Sequence, residues 1–150
     1  MRILLLGCGG NAGINFVKSL RMGHEDVFVY GLDTNKYTAY LANCDEYEVV
    51  NFENTQEKIA YLKNIVNKND IQFIHAQPDP EVKFLLDNQI SFPRIVFPLS
   101  EKDHAICANK ELFQKLISKK LDLGYQSYNL VEVLRSPNLL DELKELCLLE

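Results

Sequence analysis

The chain opens with Ile3-Leu4-Leu5-Leu6, an apolar strand that breaks at Gly7-Cys8-Gly9-Gly10-Asn11-Ala12-Gly13 and continues as a helix. No other segment constrains the fold as much. Glycines at such a break let backbone come close to a ligand, and the new helix presents unpaired N–H groups to a phosphate, a carboxylate or another anion. The loop alone does not name that ligand.

The same alternation repeats downstream. A helix with Ala12, Phe16, Val17 and Leu20 on one face stops at Gly23, and Val27-Phe28-Val29-Tyr30-Gly31-Leu32 forms a second strand. Tyr47 to Val50 reads as a third strand, and Thr55 to Asn67 as a helix with Ile59, Leu62 and Ile65 in register behind an Asn54-x-x-Glu57 capping box. Ile71 to Ala76 is a fourth strand, and Asp79-Pro80 reads as an N-cap with proline at the first helical position, opening a helix that buries Val82, Leu85 and Leu86 and ends near Asn88. Arg94 to Phe97 is a fifth strand, and Ser100-Glu101-Lys102-Asp103 caps one or two further helical turns. Parallel strands need crossovers long enough to return over the sheet, so this order predicts an α/β, doubly wound, mainly parallel Rossmann-like body over residues 1–100. Residues 101–150 read as a helical extension: Lys110 to Lys120 with Leu112, Phe113, Leu116 and Ile117, then Gly124, an extended stretch from Tyr125 to Val133, and a helix led by Ser136-Pro137.

Composition excludes some partners. A 150-residue chain that is 47% hydrophobic can bury one core. Its net charge of −5 offers no basic face for nucleic acid. No apolar run approaches the roughly 20 residues of a membrane span, and Ile3 to Leu6 is too short for a signal peptide, so a cytoplasmic location is expected. Cys8, Cys44, Cys107 and Cys147 lack metal-ligand spacing and read as reduced, mostly buried thiols.

Gly7, Gly9 and Ala12 satisfy a relaxed dinucleotide fingerprint with Gly13 behind, and Asp33 follows the second strand at the distance where a carboxylate meets a ribose hydroxyl. Asp33-Thr34-Asn35 serves equally as turn chemistry, because Asp and Asn bond nearby backbone groups. Gln77 and Asp79 stand at the carboxyl end of the fourth strand, where open parallel sheets bind ligands, although Asp79 also reads as a helix cap alone. His24, His75 and His104 belong to no recognisable catalytic triad; His75 reads as a hydrogen-bonded core histidine and His104 as solvent-facing.

Taken in order, the loop Gly7 to Gly13, Gly31-Leu32-Asp33-Thr34-Asn35, Gln77-Pro78-Asp79 and Cys107-Ala108-Asn109-Lys110-Glu111-Leu112-Phe113 resemble the N-terminal pre-ATP-grasp domain of ATP-grasp ligases, most nearly the carbamoyl phosphate synthase large-subunit group. The resemblance covers essentially the whole chain, and its most specific element is the Asn109-Lys110 step with the elements that follow it. It implies that Lys110 contacts the phosphates of ATP, with Asn109 where many relatives carry Asp. It also implies that Gly7, Gly9, Gly10, Asn11, Asp33 and Asp79 line the substrate side, without a catalytic or metal-binding residue among them. The family's second ATP-binding lysine, its phosphate loop and its magnesium ligands would fall after Glu150. The chain is therefore expected to act as a fragment or split subunit, inactive alone, with an ATP-grasp domain as partner in cis or in trans. ATP and magnesium would serve the complete enzyme, which would activate a small carboxylate for attack by an amine; no cofactor is expected to bind this chain tightly alone. The apolar face of the last helix needs a cover, which leaves three options open: it packs back on the body, meets another chain, a homo-oligomer being one form of this, or has lost its natural continuation. The competing reading is an NAD(P)-binding module of an oxidoreductase or a regulatory sensor, with the glycine loop on pyrophosphate and Asp33 on ribose.

Overall fold

The computed structural model describes residues 1–23, 26–92 and 100–121 and the single positions Arg135 and Asn138. The expected strand Arg94 to Phe97, the segment from Gly124 through the Ser136-Pro137 helix apart from Arg135 and Asn138, His24 and Cys147 lie outside the described residues. The chain divides into two units, Met1–Glu101 and Lys102–Glu150.

The first unit is built on four parallel strands: β1 (Arg2–Leu6), β2 (Phe28–Asp33), β3 (Glu46–Val49) and β4 (Phe73–Ala76), in the order β3-β2-β1-β4. The helices α1 (Asn11–Met22), α2 (Thr55–Lys68) and α3 (Asp79–Asp87) alternate with them. The β1–β2 register pairs Arg2 with Phe28 and Leu6 with Leu32; the β1–β4 register pairs Ile3 with Phe73 and Leu6 with Ala76. β1 is thus hydrogen-bonded on both edges, and because successive side chains alternate in direction it feeds two cores. Ile3 and Leu5 join Val17, Val27, Val29, Ala39 and Ala42 on one face. Leu4 and Leu6 join Tyr30, Leu32, Ile74 and Leu85 with Ile59, Leu62 and Ile65 of α2 on the other. This is the doubly wound arrangement expected from the alternation of elements.

Local chemistry sets the helix starts. Asn54 Oδ1 accepts from the Glu57 N–H at 2.9 Å, while the Glu57 carboxylate accepts from the Glu53 N–H at 2.9 Å, so the capping box closes one residue before the cap. α3 departs from expectation: the Pro78 carbonyl accepts from the N–H groups of Glu81 and Val82, so Pro78 is the cap and Asp79 is the first helical residue. Asp79 then acts through charge, in a first turn whose dipole favours an anion. On α1, Ala12 is exposed, and Gly13 and Val17 are the buried residues. A Cβ on Gly13 would come within 2.5 Å of the Cys8 carbonyl oxygen, so the helix turns its bare position toward the loop. β3 starts one residue before the expected Tyr47; its side chains are exposed, and among the described residues it pairs only with β2.

Beside the sheet, Glu48 accepts from the phenol hydroxyls of both Tyr30 and Tyr61. These bonds hold the Glu48 carboxyl below its ordinary range. Burial, then the Glu48 bond, pushes Tyr61 up to about 12.

The second unit contains α4 (Glu101–Ala108, whose first residue belongs to the first unit) and α5 (Lys110–Leu121). Asn109 Oδ1 accepts from the N–H groups of Glu111 and Leu112, both at 3.1 Å, which caps α5. His104 is buried, with Nε2 unpartnered among the described residues, in contrast to the solvent-facing position its sequence suggests. Leu112, Phe113 and Leu116 are exposed by 48%, 44% and 37%, while Ile117 of the same apolar stripe is half-buried.

Two outcomes follow from this packing. Replacing the fully buried Leu62 by alanine is expected to cost about 2–5 kcal/mol, read from the midpoint of a urea titration. Because Glu48 has a depressed carboxyl, its contribution is present above the unfolded carboxylate range and is lost as pH falls through the folded value. Acid unfolding of Glu48→Gln should therefore show a shallower loss of stability below pH ~5 than the parent.

Candidate functional site

The carboxyl ends of the strands surround a cleft of about 820 Å³. Its lining comes from the β1–α1 loop (Gly7, Gly9, Gly10), the end of β2 and its turn (Leu32, Asp33, Asn35, Thr38), the β3–α2 loop with the start of α2 (Phe52, Asn54, Lys58), and the β4–α3 loop with α3 (Pro78, Glu81, Phe84). In the order β3-β2-β1-β4 the chain leaves β1 toward β2, and later returns to β4 on the opposite side. That reversal opens a crevice where open α/β sheets receive ligands.

The glycine loop is shaped by close approach. Gly7 has φ 71°, and a Cβ there would sit 2.4 Å from Cγ of Pro78, so a side chain is excluded both by conformation and by the opposing proline. The N–H groups of Gly7 and Cys8 both reach the Leu32 carbonyl, at 2.8 and 3.2 Å, and lock the loop to the end of β2. Gly10 is the α1 cap and supplies no side-chain bond, and the first turn of α1 carries no acidic residue. Its N-terminal partial positive charge is therefore left for an anion.

Asp33 closes the arrangement. Its Oδ2 accepts from the Gly9 N–H at 2.7 Å and its Oδ1 from the Asn35 N–H at 2.8 Å. Asn35 Oδ1 in turn accepts from the Tyr37 N–H at 2.9 Å. The turn chemistry and the loop contact are thus carried by one carboxylate, which is directed at protein backbone.

The opposite wall holds an ion pair that motif reading missed. Lys58 Nζ lies 2.7 and 2.6 Å from the two Glu81 oxygens, with 16% and 23% of the respective side chains exposed, and 4.3 Å from the Phe84 ring centroid. Phe52 packs edge-on against Tyr61 at 5.2 Å between centroids. Lys58 and Glu81 sit in the first turns of α2 and α3 and belong to no recognisable motif. Their available signal was amphipathic position: Lys58 and Glu81 both follow a helix start at the carboxyl end of the sheet.

Of the residues singled out from the sequence, Gly7, Gly9, Gly10 and Asp33 are brought together in the cleft. Asn11 is the first residue of α1 and exposed. Asp79 and Gln77 stand outside the lining, which takes their neighbours Pro78 and Pro80 instead. Gln77 Nε2 donates to His75 Nε2 at 2.6 Å, and the His75 ring stacks on Phe16 at 4.1 Å. Burial lowers the His75 pKa, in keeping with a neutral, hydrogen-bonded imidazole. Lys110 is exposed at the first position of α5, in the second unit. Among the described residues no three His, Cys, Asp or Glu side chains gather to hold a metal ion, and no helix is long and apolar enough to cross a membrane.

Among solved structures, the chain is similar to glycinamide-RNase-transformylase T from Mycobacterium tuberculosis, at 17% identity and a TM-score of 0.56, over 89% of this chain and 39% of that one. The fold is Rossmann-like. Other similar chains are dTDP-glucose 4,6-dehydratase from Bacillus anthracis, determined in complex with NAD (19% identity, TM-score 0.49, 82% of this chain and 52% of that one), and the biotin carboxylase domain of a single-chain bacterial carboxylase (10%, 0.49, 79% and 29%). At these identities the likeness is one of fold. No family model and no curated protein matches the chain.

An amide in place of the Asp33 carboxylate keeps one acceptor oxygen and loses the other. Asp33→Asn is expected to destabilise the protein by about 1–3 kcal/mol and to speed hydrogen exchange at the Gly9 amide, read by denaturation and by exchange spectroscopy.

Proposed function

We propose that this chain is the N-terminal, substrate-side domain of an ATP-grasp carboxylate–amine ligase similar to the carbamoyl phosphate synthase large subunit. The observation that supports the reading is the engagement of both Asp33 oxygens by the Gly9 and Asn35 N–H groups, which fastens the glycine loop to the end of β2 as the floor of the cleft. In the dinucleotide reading that carboxylate would have a ribose hydroxyl as its partner. A small carboxylate or acyl phosphate suits the uncapped start of α1, where the helix dipole and backbone donors favour an anion and the first turn carries no acidic side chain, while the Gly9 N–H is already taken by Asp33. Asp79 has no part in this version of the acceptor side, because it stands outside the lining.

Lys110 fits a contact to nucleotide phosphate: it is exposed, at the first position of a helix capped by Asn109, and its ammonium is a compact point charge. In this reading the magnesium ligands of the complete ligase would lie in its ATP-grasp domain, in cis or on a partner subunit. ATP would supply the phosphoryl group there, and this domain would orient and desolvate the acceptor.

Titration with NADH, followed by nicotinamide fluorescence, tests the assignment. No saturable change is expected in the micromolar range, and no magnesium-dependent ADP release from ATP by the purified chain. Micromolar NADH binding that disappears in Asp33→Ala would replace this reading with the NAD(P)-binding one, and robust ATP turnover by the chain alone would also overturn it.

A further inference from the structure

Cys8 lies inside the glycine loop, between Gly7 and Gly9, and Cys44 lies in the connection between β2 and β3, after a 3₁₀ turn at Ala39–Ala42. Gly31 of β2 brings the two thiols together. A Cβ on Gly31 would meet Sγ of Cys44 at 2.8 Å and Sγ of Cys8 at 2.9 Å, so both sulfurs occupy the space left by the missing side chain. Cys8 Sγ reaches the Ala39 carbonyl oxygen at 3.5 Å.

The two thiols differ in access and in charge. Cys8 is fully buried, and Cys44 is half-buried. The neighbouring Cys8 thiol, aided by the Arg21 guanidinium, lowers the Cys44 pKa against the opposing effects of burial and Asp45, whereas Cys44 and burial raise that of Cys8. The segment carrying Cys44 is held in place: Asp45 Oδ2 accepts from the Val29 N–H and from Arg21 Nη2, both at 2.7 Å, and Arg21 Nη1 donates to the Val27 carbonyl at 2.6 Å. An accessible thiol of lowered pKa beside a buried second thiol is the arrangement of an oxidisable pair.

We propose that Cys8 and Cys44 form a reversible intramolecular disulfide in response to peroxide, a modification site that ties the β2–β3 connection to the glycine loop. The Cys44 thiolate attacks one oxygen of hydrogen peroxide, giving a sulfenic acid and hydroxide. The Cys8 sulfur then displaces the sulfenic oxygen; its proton and the hydroxyl group leave as water, and the S–S bond forms. In sum, two thiols and one peroxide give one disulfide and two waters, and a dithiol reductant reverses the change. The cross-link would join the loop that presents Gly9 to the cleft with the turn that carries Thr38, both of them cleft-lining positions. This inference is independent of the ligase reading, since it concerns thiol chemistry in the unliganded chain.

The test is a peptide map of the wild-type chain after mild peroxide treatment and alkylation. Free thiols are expected to fall from four to two, with a mass loss of about 2 Da before alkylation. Tryptic peptides 3–18 and 37–58 should be found joined, and dithiothreitol should restore all four thiols. In Cys8→Ser, peroxide should leave Cys44 as a sulfenic or sulfinic acid without the cross-link. Four thiols surviving the treatment, a disulfide through Cys107 or Cys147, or over-oxidation of Cys44 with Cys8 still free in the wild type would each overturn the proposal.

Discussion

β1 is the strand on which the first unit depends. It is hydrogen-bonded to β2 and β4, its side chains alternate between two cores, and its last residue delivers the chain into the glycine loop. Each of Ile3, Leu4, Leu5 and Leu6 is almost wholly buried, so four consecutive residues are removed from water on both faces of the sheet. At about 1.5–3 kcal/mol for each buried aliphatic side chain, this short strand supplies a large part of the local driving force. Polar substitution at any of the four positions would place an unsatisfied group in one core or the other.

The cleft is a consequence of the same topology. A central strand whose neighbours lie on opposite sides must splay its outgoing loops, and the gap appears at the carboxyl ends. Gly7 lets the chain turn there in a left-handed conformation against Pro78, and Asp33 fastens the loop from the β2 side. One wall is mainly backbone and glycine, while the opposite wall carries the Lys58–Glu81 pair and two aromatic rings. In the proposed reading an anion would meet the start of α1 on the first wall, and the organic part of a ligand would meet Phe52 and Phe84 on the second.

Much of this was legible from local pattern. The order of strands and helices, the Asn54 cap, the loop at Gly7 to Gly13 and the position of Asp33 each rest on interactions within a few residues of chain, or on a periodicity that survives without knowledge of packing. The Asp79 cap was misplaced by one residue because Pro78 and Asp79 are both plausible helix starts in sequence, and the bonds of the Pro78 carbonyl decide between them. A short polar helix gives no hint in sequence of what covers it, so His104 reads as solvent-facing, yet the residue is buried.

By itself, the sequence determined the alternating α/β order and the presence of a glycine-bounded helix start, since strand burial, helix caps and glycine conformations are short-range physics. Tertiary structure alone decided which way the Asp33 carboxylate points, that Lys58 and Glu81 meet across 23 residues of chain, and that Cys8 and Cys44 converge above Gly31. Those are encounters between segments whose separation is fixed by strand order and helix packing, and no periodicity along the chain records the distance between two side chains brought together by a crossover.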